Sequence, residues 1–164
     1  MKKKLLITGI CSMLFCSISS VQAQNVSIGG SVAKPYTIDD AVVSSMKKIE
    51  ATVKGHDGKD HHYSGVSLYD LLAKAEFAPN NLLKGKTMAK YVLITAADAY
   101  QVVVAIPEFD PAFTEKVIIL ANQEDGNALP IESGPFRLVV PADKKPARSV
   151  MKVIKIEVLD AGKP

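Results

Sequence analysis

Short runs of β-branched and apolar residues dominate the second half of the chain. These runs cover residues 90–98, 99–106, 116–122, 136–141 and 150–160, and they are bounded by Pro, Gly, Asp and Asn. Such runs predict strands, as does the apolar–polar alternation over 48–55. The first two runs almost touch, so a hairpin turn is expected at Asp98–Ala99, and a second turn at Asp125–Gly126. A further short strand ending in a glycine turn is predicted over residues 25–32.

Two segments carry the signals of a helix start. Thr37 with Asp40, and Ser67 with Asp70, have the spacing of a capping box, in which each side chain accepts a hydrogen bond from the other residue's backbone. The second box precedes an amphipathic segment over 68–77. Few helices early and many strands late predict an α+β fold, with mixed strand-rich sheets and a few short helices, rather than alternating βαβ units.

The first residues have the pattern of an export signal. Three lysines at positions 2–4 precede an apolar run that ends in a small-x-small pattern at Ala23. We therefore expect residues 1–23 to be a signal peptide and residues 24–164 to be a single domain, periplasmic or secreted. The apolar run is too short for a membrane span.

Removing this segment changes the charge and the cysteine content. Residues 24–164 hold 17 basic and 17 acidic residues, since three of the 20 Lys and Arg residues lie at positions 2–4. A neutral domain without basic clusters has no electrostatic footprint for nucleic acid. Both cysteines, Cys11 and Cys16, lie in the expected signal, so the domain has no disulfide, thiolate nucleophile or thiolate metal ligand.

The three histidines lie in one polar stretch, which the pattern places as a loop between a strand and the helix near residue 68. His56, His61 and His62 are accompanied there by Asp57 and Asp60. Imidazole suits zinc, copper, nickel and iron, and carboxylates can complete the shell, so the histidines are candidate metal ligands. Their spacing matches no recognised ligand signature, and adjacent residues of an extended chain point opposite ways. A solvated loop, or a loop that contacts an anionic ligand, accounts for the same residues.

Four segments in order resemble the molybdopterin-binding domain of sulfite oxidase-like oxidoreductases. They are "YSGVSLYDLLAKA" (63–75), "YVLITAADAYQVVVAIPEF" (91–109), "VIILANQEDGNALPIESGPFRLVVP" (117–141) and "ARSVMKVIKIEVLD" (147–160). In the second segment, Ala99 stands where the family has the glycine of an Asp-Gly-Tyr turn. The resemblance spans nearly all of residues 24–164. It implies the family's fold and a molybdopterin cofactor, but a fold does not fix a function.

The resemblance also implies which residues would hold the cofactor. Arg137, Arg148, Ser149 and Lys152 align with basic or polar positions near the family's pterin-phosphate pocket, and the arginine fork suits phosphate. If the metal is held by the pterin dithiolene without cysteine, His56 or solvent would fill the missing ligand position. The alternative for Arg137 is structural, since it would lead a buried strand and tie down a neighbouring loop.

One residue that the family's reaction needs is absent. A cysteine thiolate ligates molybdenum about a dozen residues before the aromatic-x-Gly element, and it holds and tunes the metal. The same count here reaches Val53, Lys54 and Gly55, none of which carries sulfur. The resemblance therefore implies the domain, whereas the missing cysteine argues against molybdenum, and enzymatic activity stays undecided.

Three functions follow, in order of preference. The first is an exported, stand-alone domain that binds a small anionic ligand or a protein partner without molybdenum redox chemistry. The second is a molybdopterin-dependent oxidoreductase with non-cysteine metal ligation. The third is a periplasmic metal-binding protein that uses His56, His61 and His62.

Overall fold

The computed structural model describes residues 25–55 and 57–162; the expected signal peptide and His56 lie outside the described residues. The strands are β1 (Val26–Gly30), β2 (Tyr36–Ile38), β3 (Lys48–Lys54), β4 (Asp60–Ser67), β5 (Lys90–Ala96), β6 (Gln101–Ala105), β7 (Ile119–Glu124), β8 (Asn127–Ala128), β9 (Arg137–Val139) and β10 (Val153–Asp160). The α-helices are α1 (Asp40–Ser45) and α2 (Leu68–Lys74), and 3-10 turns cover Pro79–Asn81, Gly85–Ala89, Ile106–Glu108 and Pro146–Arg148. Among these described elements, no helix has the length and apolar character to cross a membrane.

The strands form two sheets. The first has the order β2-β1-β10-β5-β6, and the second has the order β3-β4-β7-β8 with β9 also paired to β7. The β1–β10 pair is parallel, and the other pairs are antiparallel. One mixed sheet and one antiparallel sheet, together with two short α-helices, confirm the predicted α+β fold class.

One face of each sheet is buried against a common core. Val92 and Ile94 of the first sheet share this core with Leu120 and Leu138 of the second and with Leu71 of α2. The buried positions of β5 alternate with half-buried ones, as the period of a strand requires. The outward-facing residues of the second sheet form a smaller apolar cluster around Tyr63, Ile119, Ala121 and Val139; we call it the outer cluster.

The two predicted helix starts have different outcomes. Ser67 caps α2 as predicted, because its hydroxyl accepts from the Asp70 backbone N at 3.4 Å. The prediction for Thr37 is wrong, since Thr37 lies within β2 and pairs with Ser27 of β1. Strand pairing delays the start of α1, and Asp39 becomes its cap by accepting from the Val42 backbone N at 2.8 Å.

Both predicted turns are present. Asp98 and Ala99 lie in the hairpin that joins β5 to β6, where Ala99 has a φ of 67°. Asp125 and Gly126 both have positive φ and join β7 to β8. The chain thus reverses where sequence chemistry favours it, and the second turn lies beside the candidate site.

Candidate functional site

The placement of His61 and His62 in a loop is wrong, because both lie in strand β4. The β3–β4 hairpin pairs His61 with Val53 and His62 with Thr52. The β-ladder therefore extends three residues, Asp60 to His62, into the polar stretch. The two rings lie on opposite faces of the sheet, as expected for adjacent strand residues. His62 Nδ1 lies 3.0 Å from Thr52 Oγ1, so the two described histidines do not converge on one point.

His61 instead lies among three carboxylates. Its Nε2 is 3.2 Å from Asp57 Oδ1, and its Nδ1 is 2.9 Å from Glu124 Oε1 and 3.5 Å from Asp125 Oδ2. The hydrogen bond to Asp57 is the main cause of the raised pKa of His61, with the other two carboxylates adding to it. The pKa of Asp57 is lowered, first by the Lys59 backbone N–H and then by His61. We call these four residues the His61 cluster.

The two additional acids come from the second predicted turn and the strand before it. Glu124 ends β7, which pairs with β4, and the Asp125 backbone N donates to His62 O at 2.7 Å. The sequence singled out Asp125 as a turn residue and did not single out Glu124. Pairing between strands some 60 residues apart brings them to His61, and no local signal reports that register.

Arg137 connects to the same cluster through Tyr63. Its guanidinium carbon lies 5.0 Å from the centre of the Tyr63 ring, and Nη1 donates to the Tyr63 hydroxyl at 2.9 Å. That hydroxyl donates to Glu124 Oε1 at 2.9 Å. Burial raises the pKa of Tyr63 to about 12, and the bond to Glu124 contributes to the rise. Arg137 is the first residue of β9, so it faces the outer cluster, in alternation with Phe136 and Leu138 in the main core.

Arg148 is held by two carboxylates. Its Nε and Nη2 donate to the two oxygens of Asp143 at 2.8 and 2.7 Å, and Nη1 donates to Glu108 Oε2 at 3.0 Å. This fork lowers the pKa of Asp143 and raises that of Arg148. Ser149 is buried, and its hydroxyl accepts from the Val140 backbone N at 3.1 Å. The side chains of Arg148 and Ser149 therefore already form hydrogen bonds within the chain.

Lys152 and the β5–β6 turn meet at one edge of the first sheet. The Lys152 backbone N donates to Ser133 O, and its O accepts from Ala97 N, each at 2.9 Å. Tyr100 reaches the same edge, where its hydroxyl donates to Ala147 O at 2.9 Å. Lys152 has a φ of 48°, in the left-handed region. Lys152, Ser149 and Arg148 thus share one segment, whereas the Arg137 side chain faces the His61 cluster.

Comparison with solved structures supports this fold. The sulfane dehydrogenase SoxCD from Paracoccus pantotrophus matches with a TM-score of 0.65 at 20% identity, over 83% of this chain and 38% of that one. This chain therefore spans well under half of that protein, and at this identity the likeness shows the fold. A search of curated proteins gave no match.

The family comparison covers nearly the whole sequence. The model of the oxidoreductase molybdopterin binding domain matches residues 17–164, beginning ahead of the expected cleavage point at Ala23. Members of this family are expected to bind molybdopterin. The chain belongs to the oxidoreductase molybdopterin-binding domain family, as the resemblance of its four segments implies.

Proposed function

We propose that this chain is an exported domain that binds a small anionic ligand or a protein partner and does not carry out redox chemistry at molybdenum. The strongest support for this proposal is the set of metal ligands that the domain offers. The two cysteines of the sequence lie at positions 11 and 16, so residues 24–164 offer no thiolate. Molybdenum in this family is expected to need a soft sulfur ligand for its retention and its redox tuning.

The space around the expected ligand position is also filled by other groups. A Cβ built at Gly55 would lie 2.6 Å from His61 Nε2 and 2.7 Å from Asp57 Oδ1. Val53 packs against the outer cluster beside His61. An imidazole and a carboxylate thus lie against Gly55, one of the three positions that the resemblance offers for the sulfur ligand.

The two arginines expected to bind the pterin phosphate already have other partners within the domain. The Arg148 guanidinium is already forked onto Asp143 and paired with Glu108. Arg137 Nε is buried and lacks a hydrogen-bond partner in the described part of the chain, but Arg137 lies over Tyr63 and faces away from the main core. Binding a phosphate through these arginines would require breaking charge-assisted hydrogen bonds.

One edge of the domain has the character of a partner-binding surface. Tyr100 and Met151 are each about half exposed, and Ile131 is 83% exposed. The segments that carry them are joined by the backbone hydrogen bonds of Lys152 to Ser133 and Ala97. Single exposed apolar residues are ordinary, but a group at one edge, with a lysine between them, favours a protein or an anionic ligand.

Analysis of protein from its source organism tests the proposal. Molybdenum is measured by mass spectrometry and pterin by fluorescence after oxidation of the denatured protein, with a cysteine-containing family member processed in parallel to establish recovery. We expect far less than one molybdenum per chain. Molybdenum near one per chain, together with pterin, would refute the proposal and favour an oxidoreductase that ligates the metal without cysteine. Pterin without molybdenum would support the proposal and identify the anionic ligand.

A further inference from the structure

Three side chains of the His61 cluster bring potential metal-ligand atoms close together. His61 Nδ1 and one carboxylate oxygen from each of Glu124 and Asp125 all lie within 4.8 Å of one another. For comparison, two ligand atoms about 2.1 Å from a tetrahedral zinc ion are about 3.4 Å apart. The observed separations of 2.9 and 3.5 Å from Nδ1 to the two carboxylates lie near this value. Small side-chain adjustments would therefore admit an ion.

The imidazole of His61 is oriented as a metal ligand. A carboxylate can only accept, so the 3.2 Å contact between Nε2 and Asp57 Oδ1 places a proton on Nε2. Metal-binding histidines commonly donate their second ring N–H to a carboxylate, which fixes the tautomer and leaves the other nitrogen for the ion. In this tautomer, the Nδ1 lone pair of His61 faces Glu124 and Asp125.

The Nδ1 atom needs a cation in front of it. It is buried and has no hydrogen-bond partner within the described residues, because its approach to Glu124 lacks hydrogen-bond geometry. A lone pair directed at two carboxylates is repulsive unless a proton or a metal ion lies between them. Asp57, Glu124 and Asp125 share His61 as an ion-pair partner. Three carboxylates around one imidazole favour a divalent cation in this position.

The two carboxylates are also held by hydrogen bonds. Glu124 Oε1 accepts from the Tyr63 hydroxyl at 2.9 Å, and Asp125 Oδ1 accepts from the His62 backbone N at 2.9 Å. Carboxylate ligands of metals are similarly fixed by outer groups. The positions of all three side chains are set by the β4–β7 pairing and the turn that follows β7, so the site is preformed.

We propose that His61, Glu124 and Asp125 bind a divalent cation of the zinc class, with Asp57 orienting the imidazole. One nitrogen and two oxygen donors, without sulfur, suit Zn²⁺ or Mn²⁺. Three protein ligands leave a coordination position open for water or an anion. The site differs from the histidine set predicted from sequence, since His62 faces the other side of the sheet. This zinc-site proposal does not depend on the proposed function. Zinc binding at the His61 cluster and the molybdenum and pterin content of the protein are measured separately.

The test is Zn²⁺ and Mn²⁺ titration of protein prepared without a polyhistidine tag and stripped with a chelator. We expect one Zn²⁺ per chain, and at least about tenfold weaker binding in His61→Ala and Glu124→Gln. Asp57→Asn should weaken binding by about tenfold to a hundredfold and keep the stoichiometry, as a positioning residue does. His62→Ala is the matched control and should bind as the wild type does, and circular dichroism checks that each variant is folded.

A second measurement identifies the ligand atom directly. In ¹⁵N spectra of the three imidazoles, Zn²⁺ should move the Nδ1 resonance of His61, and the His62 resonances should stay in place. The proposal is wrong if the wild type binds Zn²⁺ more weakly than about 1 mM. It is equally wrong if His61→Ala binds like the wild type, if His62→Ala loses as much affinity as His61→Ala, or if the shift occurs at another histidine.

Discussion

Replacing Ala99 with glycine is expected to stabilise the domain. Ala99 lies in the β5–β6 turn with a φ of 67°, a left-handed conformation that an L side chain rarely adopts. Its side chain is exposed, so the substitution removes little packing. The family's Asp-Gly-Tyr turn has glycine at this position, and the backbone angle gives a physical reason for that glycine.

The expected size follows from two opposing terms. The left-handed conformation costs an L-residue about 1–2 kcal/mol relative to the right-handed one. Glycine relieves this strain but loses about 0.5–1 kcal/mol more conformational entropy on folding than alanine does. The net increase in the free energy of unfolding is therefore about 0.5–1 kcal/mol. For a domain of this size, Tm should rise by about 1–4 °C.

Urea and thermal unfolding of wild type and Ala99→Gly measure this difference, with two controls from the same chain. Ala97→Gly changes another exposed alanine near the turn, which is not among the residues with positive φ, and should lower stability by about 0.5–1 kcal/mol. Gly58→Ala places a Cβ in open space at a φ of 77° and should be destabilising by about 1 kcal/mol. An Ala99→Gly variant that is no more stable than the wild type would show that the positive φ at Ala99 does not lower the stability of the domain.

Two further substitutions test the contacts around the candidate cofactor residues. Asp143→Asn should destabilise the protein at neutral pH. Because Arg148 lowers the pKa of Asp143, the stability from this pair is present above the carboxyl's unfolded pKa and is lost as pH falls through the lower folded value. The difference in Tm between wild type and variant should therefore shrink below about pH 4, and a constant difference would contradict the assignment. Tyr63→Phe leaves the half-buried Arg137 Nη1 without its acceptor and should cost about 1–3 kcal/mol in urea unfolding. Tyr100→Phe changes a half-exposed residue and should change the free energy of unfolding by no more than about 0.5 kcal/mol. Equal losses in the two variants would show that the buried Tyr63 hydroxyl contributes no more to stability than an exposed one.

Most strands could be predicted from the sequence because one face of each sheet is buried. The alternation over 48–55 matches β3, and the β-branched runs of the second half match β5, β6, β7, β9 and β10. The sequence does not predict the residue at which α1 begins, because a tertiary contact decides it. Residues around Thr37 pair with β1 before the helix begins, and a capping-box spacing carries no information about that pairing.

The candidate site was harder to predict because its partners are distant in sequence. Glu108 lies 40 residues before Arg148, and Glu124 lies 61 residues after Tyr63. A basic residue that is free to bind phosphate looks the same in sequence as one held by two carboxylates. The glycine and charges of the histidine stretch predict a loop, but His61 continues the ladder of β4 opposite Val53.

The two proposals concern the same β3–β4 hairpin, but they require different kinds of metal ligand there. The resemblance places a sulfur ligand within Val53–Gly55, and the structure places His61 and Asp57 against that segment. Nitrogen and oxygen donors suit a divalent ion of intermediate softness and do not replace a thiolate on molybdenum. A Cβ added at Gly55 would lie 2.6 Å from His61 Nε2 and 2.7 Å from Asp57 Oδ1, closer than van der Waals contact allows, so Gly55→Ala should displace the imidazole or the Asp57 carboxylate. If the cluster binds zinc, Gly55→Ala should bind Zn²⁺ more weakly than the wild type, because the displaced imidazole no longer directs Nδ1 at Glu124 and Asp125. Unchanged zinc affinity in a folded Gly55→Ala variant would mean that the contact of Asp57 with His61 Nε2 does not orient the imidazole for the ion.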